Sequence, residues 1–103
     1  MVMWVLRSAG ALVWRQNAGV LVLAEGPHRR IVKVGPPGMP DVLAVLPGGR
    51  FCAVEVKATG RLTAHQSAFL KALRDVGGLC FVVRRPEDVD ALFEAVRRLK
   101  HAN

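Results

Sequence analysis

The chain has 103 residues, 51% hydrophobic and 22% charged, with 15 Lys and Arg against 8 Asp and Glu for a formal net charge of +7. That length accommodates one compact domain over residues 1–103 and excludes two, because a second core would lack the apolar surface to fold. The composition excludes a disordered tail, and the positive excess points to a polyanionic partner, nucleic acid ahead of acidic membrane surfaces and acidic proteins.

No apolar run approaches the roughly 18 residues of a membrane span. Arg7 interrupts the N-terminal stretch that imitates a signal peptide, so a cytoplasmic protein without membrane contact is expected. Cys52 and Cys80 lie in apolar strand-like runs, with no CxxC spacing and no nearby His to suggest zinc. On neighbouring strands they could bridge, but an intracellular compartment favours buried free thiols. The charge is uneven: Met1 to Lys33 carries Arg7, Arg15, Arg29, Arg30 and Lys33 against Glu25, whereas Glu87, Asp88, Asp90 and Glu94 gather near the C-terminus. A basic face is expected.

In chain order, Met1 to Leu6 is apolar on every side and reads as a helix that the domain or a partner chain must cover, with Met3 and Trp4 as packing residues. Ala11 to Gln16 and Val20 to Ala24 read as strands, and Glu25 to His28 as a turn into a return strand from Arg29 to Val34. Gly35 to Pro40 cannot be regular, being built of Pro and Gly. Asp41 to Leu46 and Phe51 to Lys57 are strands joined by Pro47-Gly48-Gly49-Arg50, a hairpin composition. A helix follows with Thr63 as N-cap, apolar residues at Phe69, Leu70, Leu73 and Val76, and Gly77-Gly78 at its end. Leu79 to Val83 is a buried strand, and Pro86 opens a last helix with acids in its first turn and Arg97, Arg98 and Lys100 in its last. The order predicts an α/β fold whose mixed sheet has an antiparallel meander followed by a right-handed parallel β-α-β crossover.

Residues i and i+2 of a strand share a face, so Glu55 and Lys57 project together while Val54 and Val56 point into the core. Asp41 opens the neighbouring strand. If the loop is the three residues Pro47-Gly48-Gly49, Leu46 pairs with Arg50 and Asp41 falls opposite Glu55; a two-residue loop puts it opposite Val56 instead. Two close carboxylates repel unless a cation sits between them, and oxygen ligands suit Mg²⁺, with Mn²⁺ able to substitute. Lys57 is a compact charge that can orient water or stabilise developing negative charge on phosphorus.

Pro40-Asp41 followed by Glu55-Val56-Lys57 matches the PD-(D/E)xK pattern of nucleases. Trp14-Arg15-Gln16-Asn17-Ala18-Gly19, Gly38-Met39-Pro40-Asp41, Gly60 to Gln66, and Gly77-Gly78 with Val82-Val83-Arg84 occur around it in order. Over Leu6 to Val89 the chain resembles the virus-type replication-repair nuclease (VRR-NUC) family. The resemblance implies a restriction-endonuclease-like three-layer α/β/α core, with Asp41, Glu55 and the backbone carbonyl of Val56 as metal ligands, Lys57 catalytic and Gln66 supporting the site from its helix. Stand-alone members of that family resemble Holliday-junction resolvases, which act as homodimers, and the fused eukaryotic member is a structure-specific repair nuclease. One departure is that the family carries an acid on its first helix, whereas no carboxylate precedes Glu25, so that acid is absent or the chain starts late.

Thr63-x-x-Gln66 is also a capping box, which gives Gln66 a structural role beside the catalytic one. Arg15 and Asn17 are either phosphate contacts or polar strand ends. Arg29, Arg30 and Lys33 form either a phosphate-binding stripe or a solvated strand. Arg84 and Arg85 precede a helix N-terminus, where they either hold a phosphate or mark a soluble boundary. His65 reads as an exposed first-turn residue, and His28 and His101 as a turn and a terminal residue. The expected function is a metal-dependent endodeoxyribonuclease for branched DNA, a homodimeric Holliday-junction resolvase. The alternatives are a DNA-binding module without catalysis and a less selective flap or nick endonuclease.

Overall fold

Val42, Leu43 and Ala44 are successive apolar residues, and such a run needs cover on both faces of a sheet. The computed structural model describes residues 1–16, 20–33 and 37–101, and their side chains except in 20–25, 29–33 and 100–101. Along the chain run α1 (Val2–Ser8), β1 (Leu12–Arg15), β2 (Val20–Glu25), β3 (His28–Lys33), β4 (Val42–Val45), β5 (Phe51–Val56), α2 (Ala64–Asp75), β6 (Leu79–Val83) and α3 (Pro86–His101). The result is a small α/β fold with three helices and a four-stranded mixed sheet in the order β1-β4-β5-β6. β1, β4 and β5 pair antiparallel, and β6 returns parallel to β5 after α2.

The expected meander needs correction, because β2 and β3 leave this sheet and pair only with each other. β4 takes the place beside β1 instead. Its Val42, Leu43 and Ala44 are 4%, 2% and 0% exposed, so an inner position satisfies them. β3 carries Arg29, Arg30 and Lys33, and burying those cations between strands would carry a desolvation cost. The hairpin closes on itself through Gly26-Pro27, with Gly26 at φ +57°, the backbone form that tight hairpin turns demand of their first residue.

Alternation along β5 divides the core between the two faces of the sheet. Cys52 and Val54 pack with Val5 and Leu6 of α1 and with Leu92 and Val96 of α3. Ala53 packs with Leu43 and with Leu70 of α2, flanked by Trp14 and Phe51 in an edge-to-face pair 6.3 Å apart. The same alternation separates the cysteines: Cys52 belongs to the first cluster and Cys80 borders the second, so both are free thiols on opposite faces and no disulfide joins them. Burial pushes the Cys52 thiol up to about 12, leaving it an inert packing group.

Two residues expected to pack are not covered within the single chain. Trp4 is 69% exposed, because the seven-residue α1 turns Val2, Val5 and Leu6 to the sheet and presents Trp4 outward. Val56 is 46% exposed rather than buried, since it is the last residue of β5, where β4 no longer runs alongside as strand. Among the described residues no helix is long and apolar enough to cross a membrane.

Candidate metal and phosphodiester site

The β4-β5 connection decides which residues meet. Leu46 N–H donates to the Arg50 carbonyl at 2.8 Å and Gly49 N–H donates to the Leu46 carbonyl at 2.8 Å, closing the three-residue loop Pro47-Gly48-Gly49. Gly48 and Gly49 sit at φ +95° and +91°, a backbone that side chains resist. The loop sets the register Val45↔Phe51 through Val42↔Val54. One step further along the same register Asp41 lies opposite Glu55. Its carboxylate is held there: Asp41 Oδ2 accepts from Val56 N–H at 3.1 Å, and the Asp41 carbonyl accepts from Gln16 N–H at 2.8 Å at the end of β1. In antiparallel pairing the N–H and C=O of one residue point to the same neighbour, so the Val56 carbonyl shares the Asp41 edge.

The segment before Asp41 is seated by close backbone contact. Gly38 has φ +78°, and a Cβ there would stand 2.2 Å from the carbonyl carbon of His65 and 2.5 Å from Gln66 N. Only glycine lets this loop lie against the first turn of α2. The contact brings two separated sequence blocks, Gly38 to Asp41 and Thr63 to Gln66, into one structure. Pro40, next to Asp41, is fully buried.

Gln66 joins the remaining groups. Its N–H donates to Thr63 Oγ1 at 3.1 Å, and its Oε1 accepts from Thr63 N–H at 2.9 Å, completing the capping box. The same Oε1 accepts from Lys57 Nζ at 3.3 Å, while Nε2 donates to Glu55 Oε1 at 3.1 Å. The capping role and the site contact are therefore one arrangement rather than alternatives. Glu55 is 4% exposed, and its pKa is raised from 4.5 to about 7, first by burial and then by the Asp41 charge and carboxyl, with Lys57 opposing. Two carboxyl groups and an ammonium thus meet beside the α2 face of the sheet. The carboxyl groups, with the Val56 carbonyl along their edge, offer only oxygen, the chemistry of a hard divalent cation.

The other predicted positions scatter. Arg15 ends β1, exposed, next to the Gln16 that binds Asp41. Arg29, Arg30 and Lys33 occupy β3, away from the four-stranded sheet, and their side chains lie outside the described set. Asn17 lies outside the described residues. His65 is an exposed first-turn residue of α2, and His28 is exposed where β3 begins. Arg84 Nη1 donates to the Gly60 carbonyl at 2.6 Å, tying the end of β6 to the loop before α2. Ahead of α3 the backbone amides are already taken: Asp88 Oδ2 accepts from Arg84 N–H at 2.8 Å and from Arg85 N–H at 3.0 Å, which hold its carboxyl below the usual range, so only the arginine side chains are left to meet a phosphate there. The helix carries its own anion there.

Sequence reading missed Gly38 and Asp88 as organisers. The first was hidden in a Pro and Gly run that looked merely irregular. The second was visible as an acid in a helical first turn but was counted only as charge. Among the described residues no three or more His, Cys, Asp or Glu side chains gather to hold a metal, so the carboxylate set is the pair Asp41 and Glu55. Compared with known proteins, the chain matches no family model, no curated protein and no solved structure.

Proposed function

We propose that this chain is a divalent-cation-dependent endodeoxyribonuclease of the PD-(D/E)xK type, similar to VRR-NUC nucleases, that cuts branched DNA as a homodimeric Holliday-junction resolvase. The observation that carries the reading is the meeting of Asp41 and Glu55 across the β4-β5 register, with Gln66 linking Glu55 to Lys57. Helices on both faces of the mixed sheet support a three-layer restriction-endonuclease-like core. The +7 charge supports a nucleic-acid substrate.

The residues fit a cation on their own chemistry. Asp41 raises the proton affinity of Glu55, which is the repulsion a dication between them would relieve. Asp41, Glu55 and the Val56 carbonyl would hold it, and Mg²⁺ is commonly bound by one or two carboxylates together with water and substrate phosphate. When bound, Mg²⁺ or Mn²⁺ supplies Lewis-acid polarisation of the phosphodiester and lowers the pKa of attached water. Lys57 offers a positive charge on the α2 side, where it can orient water or offset charge building on a phosphoryl oxygen. Gln66 keeps Lys57 and Glu55 in fixed relation. Arg15, with Asn17, Arg29, Arg30, Lys33 and Arg84, would contact the DNA backbone and contribute salt-dependent affinity.

A labelled four-way junction incubated with purified protein and Mg²⁺ tests the proposal. Symmetric cutting by the parent, and loss of at least about a hundredfold in Glu55→Gln and Lys57→Ala, are expected. Undiminished cutting by Lys57→Ala, or none by the parent, would sink it. A second reading is a DNA-binding module without catalysis. It is favoured by the small carboxylate set and by an α1 that carries no acid. Both readings call for salt-sensitive binding, but only the first calls for metal-dependent cleavage that Glu55→Gln abolishes while binding survives. Competition between junction, flap, nicked and linear DNA separates a resolvase from a less selective nuclease.

A further inference from the structure

A groove of about 440 Å³ opens at the same end of the sheet as the carboxylate pair, lined among others by Arg15, Arg84, Arg85, Val42, Val56 and Val83. Val42, Val54 and Val83 belong to the core cluster under α1 and α3, so this is the face opposite α2. Val42 follows Asp41, and Val56 lies between Glu55 and Lys57. The ends of β4 and β5 are therefore a ridge with the carboxylates on one side and the groove on the other.

We infer that the groove receives one unpaired nucleotide of a DNA strand whose neighbouring phosphate lies at Asp41 and Glu55, an inference that rests on the nuclease reading and deepens it. Three features select this occupant. The floor is apolar, with the exposed Val56 set among the buried Val2, Val42, Val83 and Val89. The wall carries the side chains of Arg15, Arg84 and Arg85, whose three charges outnumber the single Asp88 carboxylate held on the backbone amides of the last two and complement a phosphate. The volume falls within the range of roughly 300–1,000 Å³ typical of small-ligand sites, enough for a base and sugar and too small for a duplex. Arg84 is steadied from outside by the Gly60 carbonyl, which fixes part of the wall. Paired bases cannot enter, since reaching the floor means leaving the stack. Affinity therefore favours branch points, bulges and gaps over continuous duplex.

The test uses two fluorescein-labelled duplexes of equal length, one fully paired and one with a single unpaired thymidine, their binding followed by anisotropy with EDTA present so that no cutting intervenes. The parent is expected to prefer the bulged duplex by about tenfold, the scale of covering part of one base with apolar side chains. Arg85→Ala and Ala58→Glu alter exposed lining positions, and each is expected to bring that preference near unity, beyond whatever loss its change of charge causes on both duplexes alike. Two substitutions of different chemistry keep the test open if one fails to fold. No preference in the parent, or equal loss on both duplexes in the variants, would overturn the groove assignment. Cutting assayed separately keeps the two ideas apart. A bulge preference without metal-dependent cutting removes the nuclease reading and leaves a nucleotide-binding groove, whereas cutting without the preference removes only the groove.

Discussion

Glu55 shows what a buried acid beside another acid must do. Its pKa of about 7 lies above the ordinary 4.5, so between those values the folded chain holds more proton than the unfolded chain. Stability in the absence of divalent ions is therefore expected to fall as pH climbs through that window and to level off above about 7. Urea unfolding at about pH 5 and about pH 8 measures it, and Glu55→Gln should flatten the dependence. On the nuclease reading, Mg²⁺ raises the melting temperature more at the higher pH, because the cation displaces the shared proton. A parent protein as stable at pH 8 as at pH 5 would mean that neither burial nor the Asp41 charge disfavours the ionised form of Glu55. Gln66→Ala removes one side of the capping box together with the contacts to Glu55 and Lys57. A loss of about 1 kcal/mol is expected from the cap alone. On the nuclease reading Thr63→Ala should cost a similar amount of stability but leave more cutting than Gln66→Ala, because Gln66 still bridges Glu55 and Lys57 whenever the turn is closed.

At the scale of elements, the β4-β5 hairpin and α2 were legible in sequence because each carries local chemistry. Pro47-Gly48-Gly49-Arg50 marks a hairpin connection, although its length of two or three residues was settled only by the folded backbone, and Thr63, Gln66 and Gly77 mark the start and stop of a helix. Alternation along Phe51 to Val56 revealed the faces of β5. The hairpin of β2 and β3 was readable as a hairpin, but nothing local says that its partner sheet is elsewhere. That depends on β4 outcompeting it for the edge of β1 through burial on both faces. The seating of the Gly38 loop on α2 was equally unreadable, since it is a contact between segments far apart in sequence. It is nevertheless severe. Gly38→Ala would force a methyl into the His65 backbone at a left-handed φ, and a destabilisation of more than about 2 kcal/mol is expected in denaturant unfolding. Wild-type stability in that variant would mean the loop can lift from the helix without cost.

The whole molecule leaves a specific apolar region uncovered. Met1, Trp4 and Phe93 are 86%, 69% and 37% exposed, and with Val5, Val89 and Asp90 they line a shallow hollow between α1 and α3. An N-terminal stretch with no polar side foretold an uncovered surface, but not which residues would face out. On the dimer proposal that hollow is buried against a second copy, and two-fold pairing would present two sites to two strands. Sedimentation at micromolar concentration is then expected to give twice the chain mass, with Trp4→Glu shifting it toward the single chain. A parent that sediments as one chain removes the symmetric-cutting idea while leaving the carboxylate site intact.

One glutamine amide fastens both the first turn of α2 and the acid and amine of the site, so fraying that turn and disarming the centre are a single event. On the nuclease reading, a molecule whose helix is open at that end holds no assembled centre. Deuterium uptake at the Gln66 and Ser67 amides then reports how often the centre comes apart, and on that reading it slows when a cation binds the carboxyl groups.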